Sequence, residues 1–114
     1  MSGTFTLTDQ RRARRKRAST AVVVTNVINE QALGHLGNLS ATGLMVISSE
    51  PPCLDAVYQV RFALPDSAPS LPPLELGIQT QWFEVAATPG QYWVGYRIIA
   101  INQAQTAAIE AWLG

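Results

Sequence analysis

The stretch 57–64 alternates Val57, Gln59 and Arg61 against Tyr58, Val60 and Phe62. A period of two marks a strand with one face in a core and the other in water. More segments of strand character surround it. Residues 20–28 are rich in β-branched side chains (Thr20, Val22, Val23, Val24, Thr25, Val27, Ile28) and end at a turn signal, Asn29-Glu30. Residues 32–37 carry glycines that weaken a helix and read as a strand after a hairpin. Residues 43–48 read as another short strand, closed by Pro51-Pro52. Residues 65–73 hold four prolines and two serines and form a loop. Residues 74–85 and 91–101 then make a long hairpin across Thr88-Pro89-Gly90.

The period changes at the end. Asn102 can cap a helix, and Gln105 three residues on allows a reciprocal capping bond. Ala108, Ile109, Trp112 and Leu113 follow at helical spacing, so the helix lies on the sheet and buries Ile109 and Trp112. About six short antiparallel strands and one terminal helix, in 114 residues with 47% apolar composition, give a single domain with one modest core. Strands of this number and length suggest a small barrel. Apolar runs such as 21–24 are far too short for a transmembrane helix. The polar start and the absence of a small-residue cleavage site make a poor secretory leader. A single cysteine, Cys53, excludes an internal disulfide and suits a reducing cytoplasm.

The formal net charge of zero hides a strong asymmetry. Six basic residues (Arg11, Arg12, Arg14, Arg15, Lys16, Arg17) stand against one acid in residues 1–17, leaving +5. Beyond them, Arg61 and Arg97 stand against seven acids, leaving −5 on residues 18–114. A basic arm (1–19) therefore precedes an acidic body (20–114).

Catalytic constellations are missing from the sequence. His35 is the single histidine, and no group of His, Cys, Asp and Glu has metal-ligand spacing. Phosphate-binding loops, dinucleotide fingerprints and nucleophile elbows are absent, and no basic residue next to Cys53 activates its thiol. The expectation is a binding module without metal, cofactor or catalytic group.

Five of the six basic residues in the arm are arginine. A guanidinium donates two parallel hydrogen bonds to guanine O6 and N7 or to phosphate oxygens, and it stacks on base faces. A bulk basic tail needs none of this. A second motif is Asn38-x-Ser40-x-x-Gly43. Residues 38 and 40 project to one face of a strand, and the glycine permits a tight turn or close approach of a ligand.

Taken in order, Arg11-x-x-x-Arg15 and Asn38-x-Ser40-x-x-Gly43 resemble the two-part signature of the PilZ family. The resemblance extends to Trp82, to the run 92–98 and to the closing helix, and so spans nearly the whole chain. It implies a six-stranded antiparallel β-barrel closed by a C-terminal α-helix, with cyclic di-GMP bound on its outer surface. Arg11 and Arg15 would grip guanine edges and phosphates from a flexible arm, with Arg12 and Arg14 beside them. Asn38 and Ser40 would hydrogen-bond a guanine, and Gly43 would leave it room. The implied role is a cytoplasmic receptor or adaptor whose arm changes conformation on binding and which regulates a protein partner, for instance in motility or pilus machinery. Two other readings follow from the same residues. One is a PilZ-like adaptor for such machinery that binds no nucleotide. The other is a barrel with a nucleic-acid arm, disfavoured because the acidic body repels a polyanion. Trp82, Trp93 and Trp112 read most simply as core or rim residues.

Overall fold

The computed structural model describes residues 14–18, 21–65 and 71–114. Arg11 and Arg12, and with them the first part of the basic arm, lie outside the described residues. Among the described residues seven strands and a helix follow one another: β1 (Lys16–Arg17), β2 (Val23–Asn26), β3 (Gln31–Leu39), β4 (Gly43–Ser48), β5 (Val57–Phe62), β6 (Leu74–Val85), β7 (Tyr92–Ala100) and α1 (Gln103–Leu113). All pairings are antiparallel. The sheet runs β1-β3-β2-β5-β6-β7-β4, and a further β3–β4 pairing closes β2 to β7 into a six-stranded barrel. Closure removes the free edges that an open sheet of this size exposes.

The alternation read in the sequence sets which side chains fill the barrel. On β5, Val60 and Phe62 are buried while Val57 and Gln59 are exposed. Val22, Val24, Leu36, Leu39, Leu44, Val46, Leu74, Leu76, Ile78, Val94 and Tyr96 fill the rest of the barrel core. At about 25 cal/mol per Å² of apolar surface removed from water, this core is the main stabilising term.

Helix α1 starts as its sequence predicts. The Asn102 Oδ1 accepts a hydrogen bond from the Gln105 backbone N–H at 2.8 Å. The reciprocal half of the cap is not made: Gln105 Oε1 is buried without a hydrogen-bond partner. Ile109 is fully buried and joins the barrel core, with Ala108, Trp112 and Leu113 packed around it.

Strand β1 is additional to the six expected. Lys16 pairs with Leu39 and Arg17 with Asn38, and the Ala18 N–H donates to Gly37 O at 3.1 Å. Strand β2 meets the first half of the same strand, with Val23 opposite His35. Residues 14–18 thus run along the edge of β3 that β2 leaves uncovered, which lays this part of the basic arm against the barrel wall. Among the described residues no helix is long and apolar enough to cross a membrane.

Candidate functional site

The turn from β3 to β4 is built around Ser40. Its side chain is buried, and its hydroxyl accepts from the backbone N–H groups of Thr42 (3.2 Å) and Gly43 (3.0 Å) while donating to Gly43 O (3.1 Å). The Ser40 N–H also donates to Gly43 O, at 2.8 Å. A short hydroxyl side chain competes well for backbone groups in this way, and the result is a tight, self-satisfied turn. Gly43 then enters β4 opposite Arg97 of β7. A Cβ on Gly43 would stand 2.6 Å from the backbone oxygen of Tyr96 and 3.6 Å from Arg15 Nη2. No side chain fits there.

Asn38 lies one register step from that turn on β3, and its Oδ1 accepts a hydrogen bond from Arg15 Nη1 at 2.9 Å. Its amide nitrogen faces Met45 Sδ at 3.8 Å. Arg15, Asn38, Thr42, Gly43 and Met45 line one side of an open cleft of about 610 Å³, and Gln81, Trp82, Gly95, Tyr96 and Arg97 line the other. The two arginines of the cleft face no lining carboxylate among the described residues. Arg97 Nη2 donates to Gln79 Oε1 at 3.1 Å. Two cations, a planar amide and an indole around one cleft suit a ligand with phosphate groups and flat heterocycles. Burial pushes the Tyr96 hydroxyl well above the usual tyrosine range, with the nearby Tyr58 adding to the shift, so it stays protonated at neutral pH.

Trp82 reaches the cleft through a β-bulge. On β6 the buried side chains are Leu74, Leu76, Ile78 and Thr80, a phase that would carry Trp82 into the barrel. The register shifts between Thr80 and Trp82, and Trp82 falls opposite Gly95 on the outer face, 43% exposed. Its ring lies so close over Gly95 that any Cβ there would collide with the indole.

Of the residues expected from sequence, Arg15, Asn38 and Gly43 meet in this cleft. Ser40 is adjacent but turned into its own loop. Arg14 is placed elsewhere: its Nη2 donates to the carbonyl oxygens of Leu113 (2.7 Å) and Gly114 (2.8 Å) at the end of α1. Trp82 and Arg97 are cleft residues that the arginine and Asn-Ser-Gly motifs do not mark. For Arg97 a signal existed, since it is a lone arginine between apolar residues of a predicted strand. No set of three or more His, Cys, Asp and Glu able to hold a metal occurs among the described residues.

No protein-family model and no curated protein matches this sequence. Solved structures do match. The inhibitor of motility MotI/DgrA of Bacillus subtilis superposes with a TM-score of 0.71 at 14% identity, covering 90% of this chain and 49% of that one. YcgR of Escherichia coli, solved in complex with c-di-GMP, gives 0.70 at 13% identity, covering 90% of this chain and 43% of that one. The chain thus spans about half the length of these two proteins. The PilZ domain of Escherichia coli YcgR with c-di-GMP gives 0.65 at 13% identity, with 89% of this chain and 86% of that one covered. With the six-stranded barrel, its closing helix and nearly the full length of an isolated PilZ domain matched, this chain has the PilZ fold.

Proposed function

We propose that this domain is a receptor for cyclic di-GMP, bound in the cleft between Arg15 and Trp82. The observation that carries the reading is the Arg15–Asn38 hydrogen bond at the lip of a cleft whose opposite side offers Arg97 and an exposed indole. Cyclic di-GMP has two phosphates for the guanidinium groups and two guanines for the Asn38 amide and the Trp82 face. The solved PilZ structures of YcgR that share this fold contain the same ligand. Arg11 and Arg12 precede Arg15 on the arm and supply further cations. Ser40 acts through the turn that holds Asn38 and Gly43 in place. Ligand binding tightens the arm on the barrel and so changes the surface offered to a protein partner, and this change is the output of a cytoplasmic regulator without catalytic activity.

Calorimetry with cyclic di-GMP, cyclic di-AMP, GTP and a short single-stranded oligonucleotide tests the proposal. Binding is expected with cyclic di-GMP alone. Removing a charge-assisted contact in Arg15→Ala should weaken it about ten- to a hundredfold. Wild-type protein that binds none of the four would overturn the receptor reading in favour of a nucleotide-free adaptor.

A further inference from the structure

Helix α1 ends with no basic residue in its last turn. Its terminal carbonyls, which carry the negative end of the helix dipole, lack cations of their own. The arm supplies them. Arg14 binds the Leu113 and Gly114 oxygens, and Lys16 Nζ donates to Trp112 O at 2.9 Å. The same ammonium sits 4.8 Å from the centre of the Trp112 ring, within range of a cation–π contact. Arg15, between them, points to Asn38 and the cleft instead. In an extended chain neighbouring side chains point to opposite sides, so one three-residue segment is fastened to the helix by its outer members and presents the middle one to the cleft.

We infer that Arg14, Lys16 and Trp112 are positioning residues for Arg15. The clasp on α1 fixes the register of β1 against β3 and so holds the Arg15 guanidinium at Asn38 before any ligand arrives. A binding group that is already placed raises apparent affinity by the fraction of time it is competent. By reciprocity, a ligand that holds Arg15 also tightens the arm on the helix. The clasp itself is independent of ligand identity; its effect on affinity rests on the cyclic di-GMP reading.

Trp112 is the informative position, because it lies 96 residues from Lys16 in sequence and is not among the cleft residues. In the ligand-free protein, Lys16→Met loses both the cation–π contact and the hydrogen bond to the Trp112 backbone oxygen, and should speed amide exchange at Ala18 by about fivefold. Trp112→Leu keeps that oxygen and loses only the cation–π contact, and should speed the same exchange by about twofold. In Lys16→Met, which leaves the core packing of Trp112 intact, exchange at Val46 and Val94 in the barrel should not change, and Lys16→Arg should restore slow exchange in the arm. Unchanged arm exchange in both variants would overturn the clasp. Cyclic di-GMP affinity should fall in parallel, about two- to tenfold, and Lys16→Met should add nothing in an Arg15→Ala background. An additive loss there that persists at 1 M salt, where long-range attraction is screened beyond about 3 Å, would mean that Lys16 touches ligand directly, and would overturn its role as a positioning residue. If wild-type protein binds no cyclic di-GMP, the receptor reading fails while the exchange result still decides the clasp.

Discussion

Asn38 and Ser40 are two residues apart on one strand and turn, yet their polar atoms face different tasks. Asn38 presents its oxygen to Arg15 at the cleft. The Ser40 hydroxyl is enclosed by its own loop. The two positions should therefore separate affinity from stability. Asn38→Ala should weaken cyclic di-GMP binding and leave the unfolding free energy within about 0.5 kcal/mol, as expected for a partly exposed site. Ser40→Ala should lower stability by about 1–3 kcal/mol, because two backbone N–H groups lose a buried partner, and binding should weaken as the turn loosens. Denaturant titration beside calorimetry checks both. Equal stability losses in the two variants would contradict the division. Gly43 belongs with Ser40 in this respect. The first atom a Gly43→Ala side chain meets is backbone, the Tyr96 oxygen at 2.6 Å, and backbone cannot swing aside. Pushing β4 from β7 should cost about 1–3 kcal/mol, measurable in the same titration.

Helix α1 shows how far local sequence rules reach at the level of an element. Its start is set by the Asn102 cap, and with no reciprocal bond from Gln105 that cap stands alone. Asn102→Ala should cost about 1 kcal/mol and Asn102→Ser close to nothing, read from thermal midpoints. Ile109→Ala should cost more, about 2–5 kcal/mol, because the fully buried side chain leaves a cavity between helix and barrel. Strands β4 and β6 were equally legible, being bounded by Gly43 and by the prolines at 51–52, 72–73 and 89. Strand β2 proved shorter than the β-branched run 20–28, since Val27 and Ile28 enter a turn that Glu30 closes with a φ of 58°. There, chain reversal overrides propensity. Strand β1 was illegible, because Lys16 and Arg17 carry no strand pattern and their pairing comes from the uncovered edge of β3 and the helix end beyond it. The cleft divides in the same way. Arg15, Asn38 and Gly43 could be read as a motif. Trp82 could not be placed, because period two points it inward and a bulge turns it out. A bulge leaves no mark on hydrophobic pattern alone.

On the scale of the whole molecule, charge rather than packing separates arm from body. Residues 1–17 carry +5 and residues 18–114 carry −5, so a doubly anionic ligand meets attraction from the arm and repulsion from the barrel beneath it. Within the cleft Arg97 softens that repulsion, but the arm must supply most of the attraction. Exposed charges of this kind are screened over about 10 Å at 0.1 M salt and about 3 Å at 1 M. Hydrophobic and stacking contacts with Trp82 are not weakened by salt in this way. Cyclic di-GMP at a hundred times its dissociation constant should stabilise the fold by about 2.7 kcal/mol. For a domain of this length each kcal/mol raises the melting temperature by about 4–8 °C. At a fixed ligand concentration chosen at low salt, that rise should shrink as sodium chloride approaches 1 M, because the dissociation constant grows. The unliganded melting temperature provides the control for salt effects on the barrel itself. In Trp82→Ala the rise should be smaller at every salt concentration while its salt dependence persists. In Arg15→Ala both the rise and its salt dependence should diminish. A ligand-induced rise that is the same at 0.1 M and 1 M salt would show that stacking, not the arm, holds the ligand, and would remove the reason for a basic arm on an acidic barrel.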